Sequence, residues 1–372
     1  MWVSELQLAE FRNYEQLQLS LSPGTVLIYG QNGRGKTNLV EAIGFLANLE
    51  SHRQGAKPTL IKQGKNSSQI SLTVTSGNRS RKLGAELSKD KTNQFFVNSK
   101  AQKRASDLLG NLNAVIFAPE DLDIVRRDPS DRRSFLDVTM AALKPRLAQL
   151  KTDYDRVLKQ RHALLKSSRG VSNPDLTTLD IWDDQLVALG SEIVQERAEL
   201  IAQLTEPLQS FYAALSASPD VISLNLVSLG ASDEEQQIDR SQIAKQLRER
   251  LEELRPSELE RGITLAGPHR DDMVIEKNGL LARTHASQGE AWSLALGLKL
   301  AVASLLRDRP GGDPVLILDD VFAVLDSGRR KRLVEFVVGY EQVLVTSADK
   351  SSAPDLEWSQ TFEVLGGEIR ED

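Results

Sequence analysis

The sequence contains no cysteine and few histidines, and both absences narrow the chemistry that it can perform. None of its 372 residues is a cysteine, which excludes disulfides, zinc–thiolate sites and thiol catalysis but says little about the cellular compartment. The four histidines are scattered, without paired metal-ligand spacing: His52, His162, His269 and His285. The sequence therefore does not predict a histidine metal site.

Long apolar runs are also missing. No stretch approaches the roughly 18 consecutive apolar residues that a membrane-spanning helix needs. The first residues alternate in polarity like a β-strand and do not form the apolar segment of a signal peptide. These features predict a cytoplasmic protein. The length allows two domains, or one large domain with an insertion.

The net charge of −6 is unevenly distributed. The segment from Ser51 to Gly110 has twelve Lys or Arg against three acidic residues, a local balance of +9 that leaves −15 for the remainder. A basic segment in an acidic protein is typical of a surface that binds a polyanion, although a lobe whose lysines only maintain solubility has the same composition. Four lysines are the candidate contacts to a DNA backbone: Lys62, Lys65, Lys82 and Lys103.

Hydrophobic periodicity predicts α/β structure at both ends of the chain and helices in the middle. In the first part we expect a helix at 37–48 and strands at 3–8, 17–21, 26–29, 70–75, 82–87, 95–97 and 114–117. Apolar residues at helical spacing in 143–157 and 194–215 predict two helices that fold back on each other as a short arm, the second bent at Pro207. In the last part we expect helices at 288–307 and 329–338, with strands at 315–318, 342–346, 362–364 and 368–370. The predicted parts are therefore 1–137, 138–263 and 264–372.

A phosphate-binding loop follows the third predicted strand and precedes the first predicted helix. The segment fits the pattern G-x-x-x-x-G-K-[ST] with Gly30, Gln31, Asn32, Gly33, Arg34, Gly35, Lys36 and Thr37. Glycines let successive backbone N–H groups face phosphate oxygens, and the N-terminus of the helix adds positive potential. Lys36 would bind the β- and γ-phosphates of ATP, and the Thr37 hydroxyl would bind Mg²⁺. A chance glycine-rich turn is the alternative.

Two further segments carry candidate functional residues. The apolar run 315–318 ends in Asp319 and Asp320, which predicts a Walker B strand in which Asp319 binds Mg²⁺ and Asp320 polarises the attacking water. An ordinary strand-to-turn junction also favours aspartate. Before the helix at 288–307, Ser287 and Glu290 have the spacing of a capping box. The functional alternative is that Ser287 and Gly289 bind the γ-phosphate of a nucleotide held by another subunit.

Together these motifs resemble an ABC/SMC-like P-loop ATPase head, and one family within that class. Residues 287–290 resemble the ABC signature S-G-G-Q, with Gln288 and Glu290 as departures, and 321–326 resembles a D-loop. The chain is similar to the RecF recombination mediators through a set of blocks that spans nearly its whole length: 11–14, 30–43, 117–122, 132–137, 267–272, 286–290 and 318–326. The predicted fold class is thus an α/β head with a mixed sheet and an inserted α-helical arm.

The resemblance implies a cytoplasmic DNA-repair protein that binds ATP and Mg²⁺ and dimerises on ATP. Because Asp320 is one methylene shorter than the glutamate common in this enzyme class, we expect weak hydrolysis that acts as a timer for release. It implies binding to double-stranded, gapped or junction DNA, and action with RecR and RecO type mediators to load a recombinase in repair, replication restart and the SOS response to DNA damage. One departure is that residues 343–349 lack the switch histidine of many ABC ATPases. Arg12, Arg53 and Arg270 are candidates for positions near the nucleotide, or for structural salt bridges.

Three other classes compete with this interpretation. A structural or nuclease-associated SMC-like ATPase would tether DNA through long arms, but only about 125 residues separate Asp137 from Thr264. A transporter subunit would not need the helical arm or the basic segment. A small-molecule kinase would not need the segment from Ser287 to Glu290.

Overall fold

A computed structural model describes residues 1–53, 57–169, 177–228, 239–309 and 311–372. The chain divides into two compact units. The first unit consists of 1–125, 207–220 and 286–372, and the second unit consists of 126–206 and 221–285.

The strands, in chain order, are β1 (Trp2–Phe11), β2 (Tyr14–Ser20), β3 (Gly24–Tyr29), β4 (Ser67–Ser76), β5 (Arg79–Ser88), β6 (Gln94–Val97), β7 (Lys100–Ala101), β8 (Ala114–Phe117), β9 (Ile222–Val227), β10 (Asp272–Lys277), β11 (Leu280–Leu281), β12 (Val315–Leu318), β13 (Gln342–Ser347), β14 (Gln360–Val364) and β15 (Ile369–Glu371). The α-helices are α1 (Lys36–Asn48), α2 (Leu122–Arg126), α3 (Pro129–Leu143), α4 (Arg146–Ser168), α5 (Thr177–Ser216), α6 (Arg240–Arg261), α7 (Ala282–His285), α8 (Gln288–Arg307) and α9 (Ser327–Val337).

The first unit contains two six-stranded sheets. One is antiparallel, with the order β2-β1-β4-β5-β6-β7. Along β4 and β5 buried and more exposed residues alternate, as expected for a sheet with one face in the core. The other sheet has the order β15-β14-β3-β13-β12-β8, and all its neighbouring pairs are parallel except β14–β15. The carboxyl ends of β3, β13, β12 and β8 therefore share one edge.

Helix α1 packs within the core that the two sheets share. Its residues Leu39, Val40, Ile43 and Leu46 belong to one buried cluster with side chains from both sheets. Gly44 allows a close approach to β8, since a Cβ there would lie 2.3 Å from Cδ1 of Ile116. The helix is fixed on nearly all sides, which gives the loop before it a rigid support.

Helix α8 is the second buried helix of the first unit. In the described part of the chain it is the one helix long and apolar enough to cross a membrane, but 72% of that segment is buried inside the protein. Gly297 brings it close to the last part of α5, because a Cβ there would lie 3.0 Å from Cδ1 of Leu208. Its apolar composition is thus that of a core helix.

The second unit contains α3, α4, the first part of α5, α6, α7 and the three-stranded sheet β11-β10-β9. A buried Arg161 on α4 connects three elements of this unit. Its Nε donates to Oδ1 of Asp183 at 2.5 Å, and its Nη2 donates to Oε2 of Glu258 at 2.6 Å. Nη1 donates to the hydroxyl of Thr264 at 2.9 Å. All three donor nitrogens have partners, as a buried guanidinium requires.

This division differs from the predicted arm, 138–263. The second unit begins at Arg126, because α3 packs on α4 and on β10. It ends at His285, because β10 and β11 complete its sheet, while 207–220 belongs to the first unit. The prediction of two helices was also incomplete, since α6 is a third long helix. Pro207 lies inside α5, at the boundary between the two units.

Candidate nucleotide-binding site

The predicted phosphate loop connects β3 to α1 at the shared edge of the parallel strands. Gly30, Gly33 and Gly35 have φ values of 152°, 78° and 117°, which L side chains rarely adopt. A Cβ on Gly35 would lie 2.5 Å from Nδ2 of Asn13 and 2.9 Å from the hydroxyl of Tyr14. The turn between β1 and β2 therefore supports the loop from outside, and the loop requires glycine there.

Lys36 is buried, with 4% of its surface exposed. Its ammonium donates to the carbonyl of Gly30 at 2.7 Å and to Oδ1 of Asn32 at 3.3 Å. The loop that would surround a phosphate thus holds the cation with its own oxygens. Because these are neutral acceptors, a phosphate oxygen can replace them with a stronger, charge-assisted bond.

Asp319 follows β12 and meets two hydroxyl groups, one from helix α1 and one from strand β13. Its Oδ1 accepts from Oγ1 of Thr37 at 3.1 Å and from Oγ1 of Thr346 at 2.7 Å. Thr37 is the second residue of α1 and Thr346 lies in β13, so the parallel order of the sheet brings the three residues together.

The residues at this point fit a Mg²⁺ ion. Thr37 and Asp319 offer a hydroxyl and a carboxylate oxygen side by side, and oxygen is the donor that Mg²⁺ prefers. Among the described residues no group of three or more His, Cys, Asp or Glu could hold a metal. In nucleotide enzymes one or two protein ligands to Mg²⁺ suffice, because phosphates and waters supply the others.

Asp320 is half-buried and has a left-handed backbone, with φ 52° and ψ 17°. Its N–H donates to the hydroxyl of Thr346 at 2.9 Å. Burial raises the pKa of its carboxyl, and the negative charge of Asp319 raises it further, while Lys36 lowers it. A carboxyl with a raised pKa accepts a proton more readily near neutral pH, which suits a general base.

Sequence reasoning did not assign His52 to this site. Its Nε2 lies 3.3 Å from Oδ2 of Asp319, the carboxylate oxygen that does not face Thr37. The segment that carries His52 follows α1 directly. The two neighbours of His52 are hydrogen-bonded to α1 through their side chains. The hydroxyl of Ser51 donates to Oε1 of Glu41, and Nη1 of Arg53 donates to Oδ1 of Asn38 at 3.1 Å.

The predicted signature segment forms the N-terminus of α8. Ser287 and Glu290 make the predicted capping box, in which the N–H of Glu290 donates to Oγ of Ser287 at 3.3 Å and the N–H of Ser287 donates to Oε2 of Glu290 at 2.7 Å. Gly289 lies under the guanidinium of Arg329, because a Cβ there would meet Nη2 at 2.8 Å. Ser287 and the tip of the phosphate loop are both exposed.

The D-loop follows Asp320 as a short 3₁₀ helix, Val321–Val324. Val324 is 45% exposed although it is apolar. Asp326 then caps α9 by accepting from the N–H of Arg329 at 2.9 Å, and it pairs with the guanidinium of the same residue. Arg329 also donates to Oγ of Ser293 at 2.9 Å, so it connects the D-loop to α8.

The three candidate arginines form structural contacts. Arg12 makes a two-pronged pair with the buried Glu41, at 2.9 Å from Nε to Oε2 and 2.6 Å from Nη2 to Oε1. Arg270 donates to the carbonyl of Thr264 in the second unit at 3.2 Å. Arg53, described above, anchors the segment that carries His52.

Of the four candidate DNA-binding lysines, Lys82 lies in β5 of the antiparallel sheet, Lys62 and Lys65 precede β4, and Lys103 follows β7. Lys62 pairs with Glu15 at 3.3 Å and Lys65 pairs with Glu10 at 2.8 Å. Lys82 stands opposite Thr73, six residues along the β4–β5 ladder from the Ser67–Ser88 pair. Lys82 therefore lies about 20 Å along the ladder from the Ser67–Ser88 pair, at ~3.4 Å per residue. Lys103 follows β7, and in the described part of the chain neither Lys82 nor Lys103 has an ion pair.

Comparison with known proteins identifies the family. The family described as RecF/RecN/SMC N terminal domain matches residues 2–363. A DNA replication and repair protein RecF from Clavibacter michiganensis is 44% identical over 387 residues, covering 99% of this chain and 96% of that protein. The chain belongs to the RecF family. A RecF from Frankia alni is 42% identical over 378 residues, which cover 99% of this chain and 99% of that protein.

Solved structures agree with this RecF assignment. The recombination mediator protein RecF with ATPrS in the RecFOR pathway has a TM-score of 0.91 and 28% identity, covering all of this chain and 98% of that one. The corresponding RecF-ATP structure has a TM-score of 0.89 and 29% identity, covering all of this chain and 99% of that one. An SMC head bound to the C-winged helix domain of ScpA, at TM-score 0.53 and 14% identity, covers all of this chain and 97% of that one and shows the fold alone. The predicted fold class is confirmed.

Other blocks typical of the RecF family form ion pairs within the units. In the first unit, Asp121 binds the ammonium of Lys299 at 2.8 Å. In the second unit, Arg132 binds Asp272 at 2.6 Å. A third pair joins Arg197, which is buried, to Asp137 at 2.7 Å. These contacts give the blocks 117–122, 132–137 and 267–272 a structural role.

Proposed function

We propose that the protein is an ATP-dependent, DNA-binding recombination mediator. It dimerises on ATP and helps to load a recombinase at single-stranded gaps, in repair, replication restart and the SOS response. The observation that carries the proposal is the meeting of Lys36, Thr37 and Asp319 at one edge of the parallel sheet. Membership of the RecF family supports it, because solved relatives hold ATP or ATPrS.

In this proposal the phosphate loop binds the triphosphate of ATP, and Lys36 exchanges its loop oxygens for phosphate oxygens. Thr37 and Asp319 would hold Mg²⁺, which neutralises phosphate charge when it is bound. Asp320 accepts the proton of the attacking water, helped by its raised pKa. Its side chain is one methylene shorter than the glutamate common in this enzyme class, so we expect slow hydrolysis that times release.

The second half of the site comes from another copy of the chain. Ser287 and Gly289 at the N-terminus of α8 bind the γ-phosphate held by the partner, where backbone N–H groups and the helix dipole favour an anion. The exposure of Ser287, of the loop tip and of the apolar Val324 supports a surface that becomes buried on pairing. A two-fold axis forms both sites together, because each copy supplies both halves.

The proposed setting is the cytoplasm, with RecR and RecO type mediators as partners. Double-stranded, gapped or junction DNA binds to the lobe that carries Lys62, Lys65, Lys82 and Lys103. These lysines contact the phosphate backbone and give strong salt dependence with little sequence preference.

Sedimentation with and without ATP tests the dimer. The variant Ser287→Arg should bind ATP but stay monomeric, because an arginine side chain blocks the helix tip. Asp239→Arg is the matched control, since Asp239 caps α6 in the second unit by accepting from the N–H of Ser241. The control should dimerise like the unchanged protein. A Ser287→Arg variant that dimerises normally would show that the trans site is wrong.

Charge reversal tests the DNA surface. Replacing Lys62, Lys65, Lys82 and Lys103 by glutamate should weaken binding to gapped duplex and reduce the salt slope by about 4, at roughly one phosphate contact per lysine. The control reverses Lys159 and Lys245, two exposed lysines of the second unit. Unchanged affinity in the fourfold variant would move the DNA site elsewhere, and a loss only in the control would move it to the second unit.

A further inference from the structure

The chain has no histidine at 343–349, the segment where many ABC ATPases place one, but a histidine elsewhere in the chain lies beside Asp319. His52 lies 3.3 Å from Asp319 although 267 residues separate them in the sequence. Within that segment Thr346, in β13, donates to Oδ1 of Asp319 and accepts from the N–H of Asp320. Asp319 is therefore held on both oxygens, by hydroxyls on one and by an imidazole on the other.

The segment that carries His52 is bonded to α1 on both sides of the histidine. Ser51 and Arg53, on either side of it, bond to Glu41 and Asn38 of α1. The N–H of Arg53 also donates to Oγ of Ser51 at 3.1 Å. Because α1 is buried in the core, these bonds place the segment that carries His52 beside Asp319.

The two nitrogens of the ring have different surroundings. An ionised carboxylate only accepts hydrogen bonds, so Nε2 carries the hydrogen that faces Asp319. Within the described part of the structure, Nδ1 is buried and has no hydrogen-bond partner. The side chain is thus not tied into the core by a second bond, and its one polar contact is with Asp319.

We infer that His52 is a positioning residue of the nucleotide site. It holds Oδ2 of Asp319, so that Oδ1 is directed at Thr37 and the pair is ready to bind Mg²⁺. The inference rests on the proposed function, and it gives the segment after α1 a role in ordering the Mg²⁺ site. His52 would bind neither the metal nor the nucleotide.

The test compares His52→Ala with His52→Gln. The glutamine amide nitrogen reaches nearly the same place as Nε2 and can donate to Asp319, whereas alanine cannot. Binding of a fluorescent ATP analogue is measured first in EDTA and then during a titration with Mg²⁺. Loss of an outer-shell partner typically weakens metal binding about 10- to 100-fold. His52→Ala should therefore raise the Mg²⁺ concentration at half-saturation about 10-fold or more and leave binding in EDTA within about 2-fold. His52→Gln should restore most of the Mg²⁺ response.

The control is His162→Gln, which makes the same change at a histidine of the second unit and should leave the Mg²⁺ response unchanged. Thermal melting of every variant checks that it is folded. An unchanged Mg²⁺ response in His52→Ala overturns the inference, as does an equal loss in both His52 variants that extends to EDTA. If the unchanged protein fails to bind the analogue, the proposed function itself is refuted.

Discussion

Lowering the pH from 7.5 to 5 should destabilise the second unit, because a buried histidine there can take up a proton only when its surroundings unfold. Nδ1 of His269 is hydrogen-bonded to the hydroxyl of Tyr154 at 2.7 Å, and Nε2 of His269 lies 3.3 Å from the carbonyl oxygen of Thr264. Burial lowers the pKa of His269 to about 4, and the nearby positive charges of Arg270 and Arg133 contribute to the decrease.

The sign and size follow from the two pKa values. In the unfolded chain the imidazole has a pKa of about 6.5, so between pH 6.5 and 4 the unfolded state binds a proton that the folded state does not. The contribution of His269 to stability is complete above pH 6.5 and is lost as the pH falls toward 4. At pH 5 the loss is about 2 kcal/mol, from roughly 1.5 pH units at 1.36 kcal/mol each. Burial lowers the pKa of His162 as well, which adds a change of the same sign.

Hydrogen exchange of α4 measures this locally, since Tyr154 lies on that helix. Intrinsic exchange rates change with pH, but they are the same in the unchanged protein and in His269→Gln. Comparing the two proteins at each pH therefore cancels their effect. The ratio of their protection factors should fall about 30-fold between pH 7.5 and pH 5, the equivalent of ~2 kcal/mol. His285→Gln, at an exposed histidine of the same unit, should give a ratio that does not change with pH. An equally constant ratio for His269→Gln would refute the argument from burial.

Two further changes test the nucleotide site. Lys36→Met should lower ATP affinity by about 100-fold or more in a calorimetric titration, because it removes charge-assisted bonds to phosphate. Lys331→Met, at an exposed lysine of α9, is the control. Unchanged affinity in Lys36→Met would show that the phosphate-loop assignment is wrong. Asp320→Asn should still bind ATP and remain dimeric while turnover falls about 100-fold or more, as for loss of a general base, and a normal turnover rate would exclude that role for Asp320.

The sequence predicted local features well. The phosphate loop, β3 and α1 form a contiguous segment whose glycines and flanking apolar residues are all visible within 20 positions. The predicted strands and helices of the first unit are confirmed with small shifts at their ends. The helix that carries Ser287 is confirmed too, because a capping box is a short-range signal.

Long-range features were missed. His52 and Thr346 contact Asp319 only because the fold closes over it, and nothing near His52 in the sequence indicates that contact. Helix α6 was missed for another reason. It is mostly charged, and its buried residues Ile243, Leu247 and Leu251 form a narrow stripe at a spacing of four. That stripe was the signal that could have revealed it.

The strand order of the parallel sheet has a consequence for synthesis on the ribosome. Strands β3 and β8 emerge early, yet β13 and β12 lie between them and come from the last fifth of the chain. At about 5–20 residues per second, β8 waits roughly 10–50 seconds before β13 is made. Until then β3 and β8 lack their neighbours in the parallel sheet. The nascent chain must be kept from aggregating through that interval, and fragments that end before β12 should not form the phosphate loop in its final geometry.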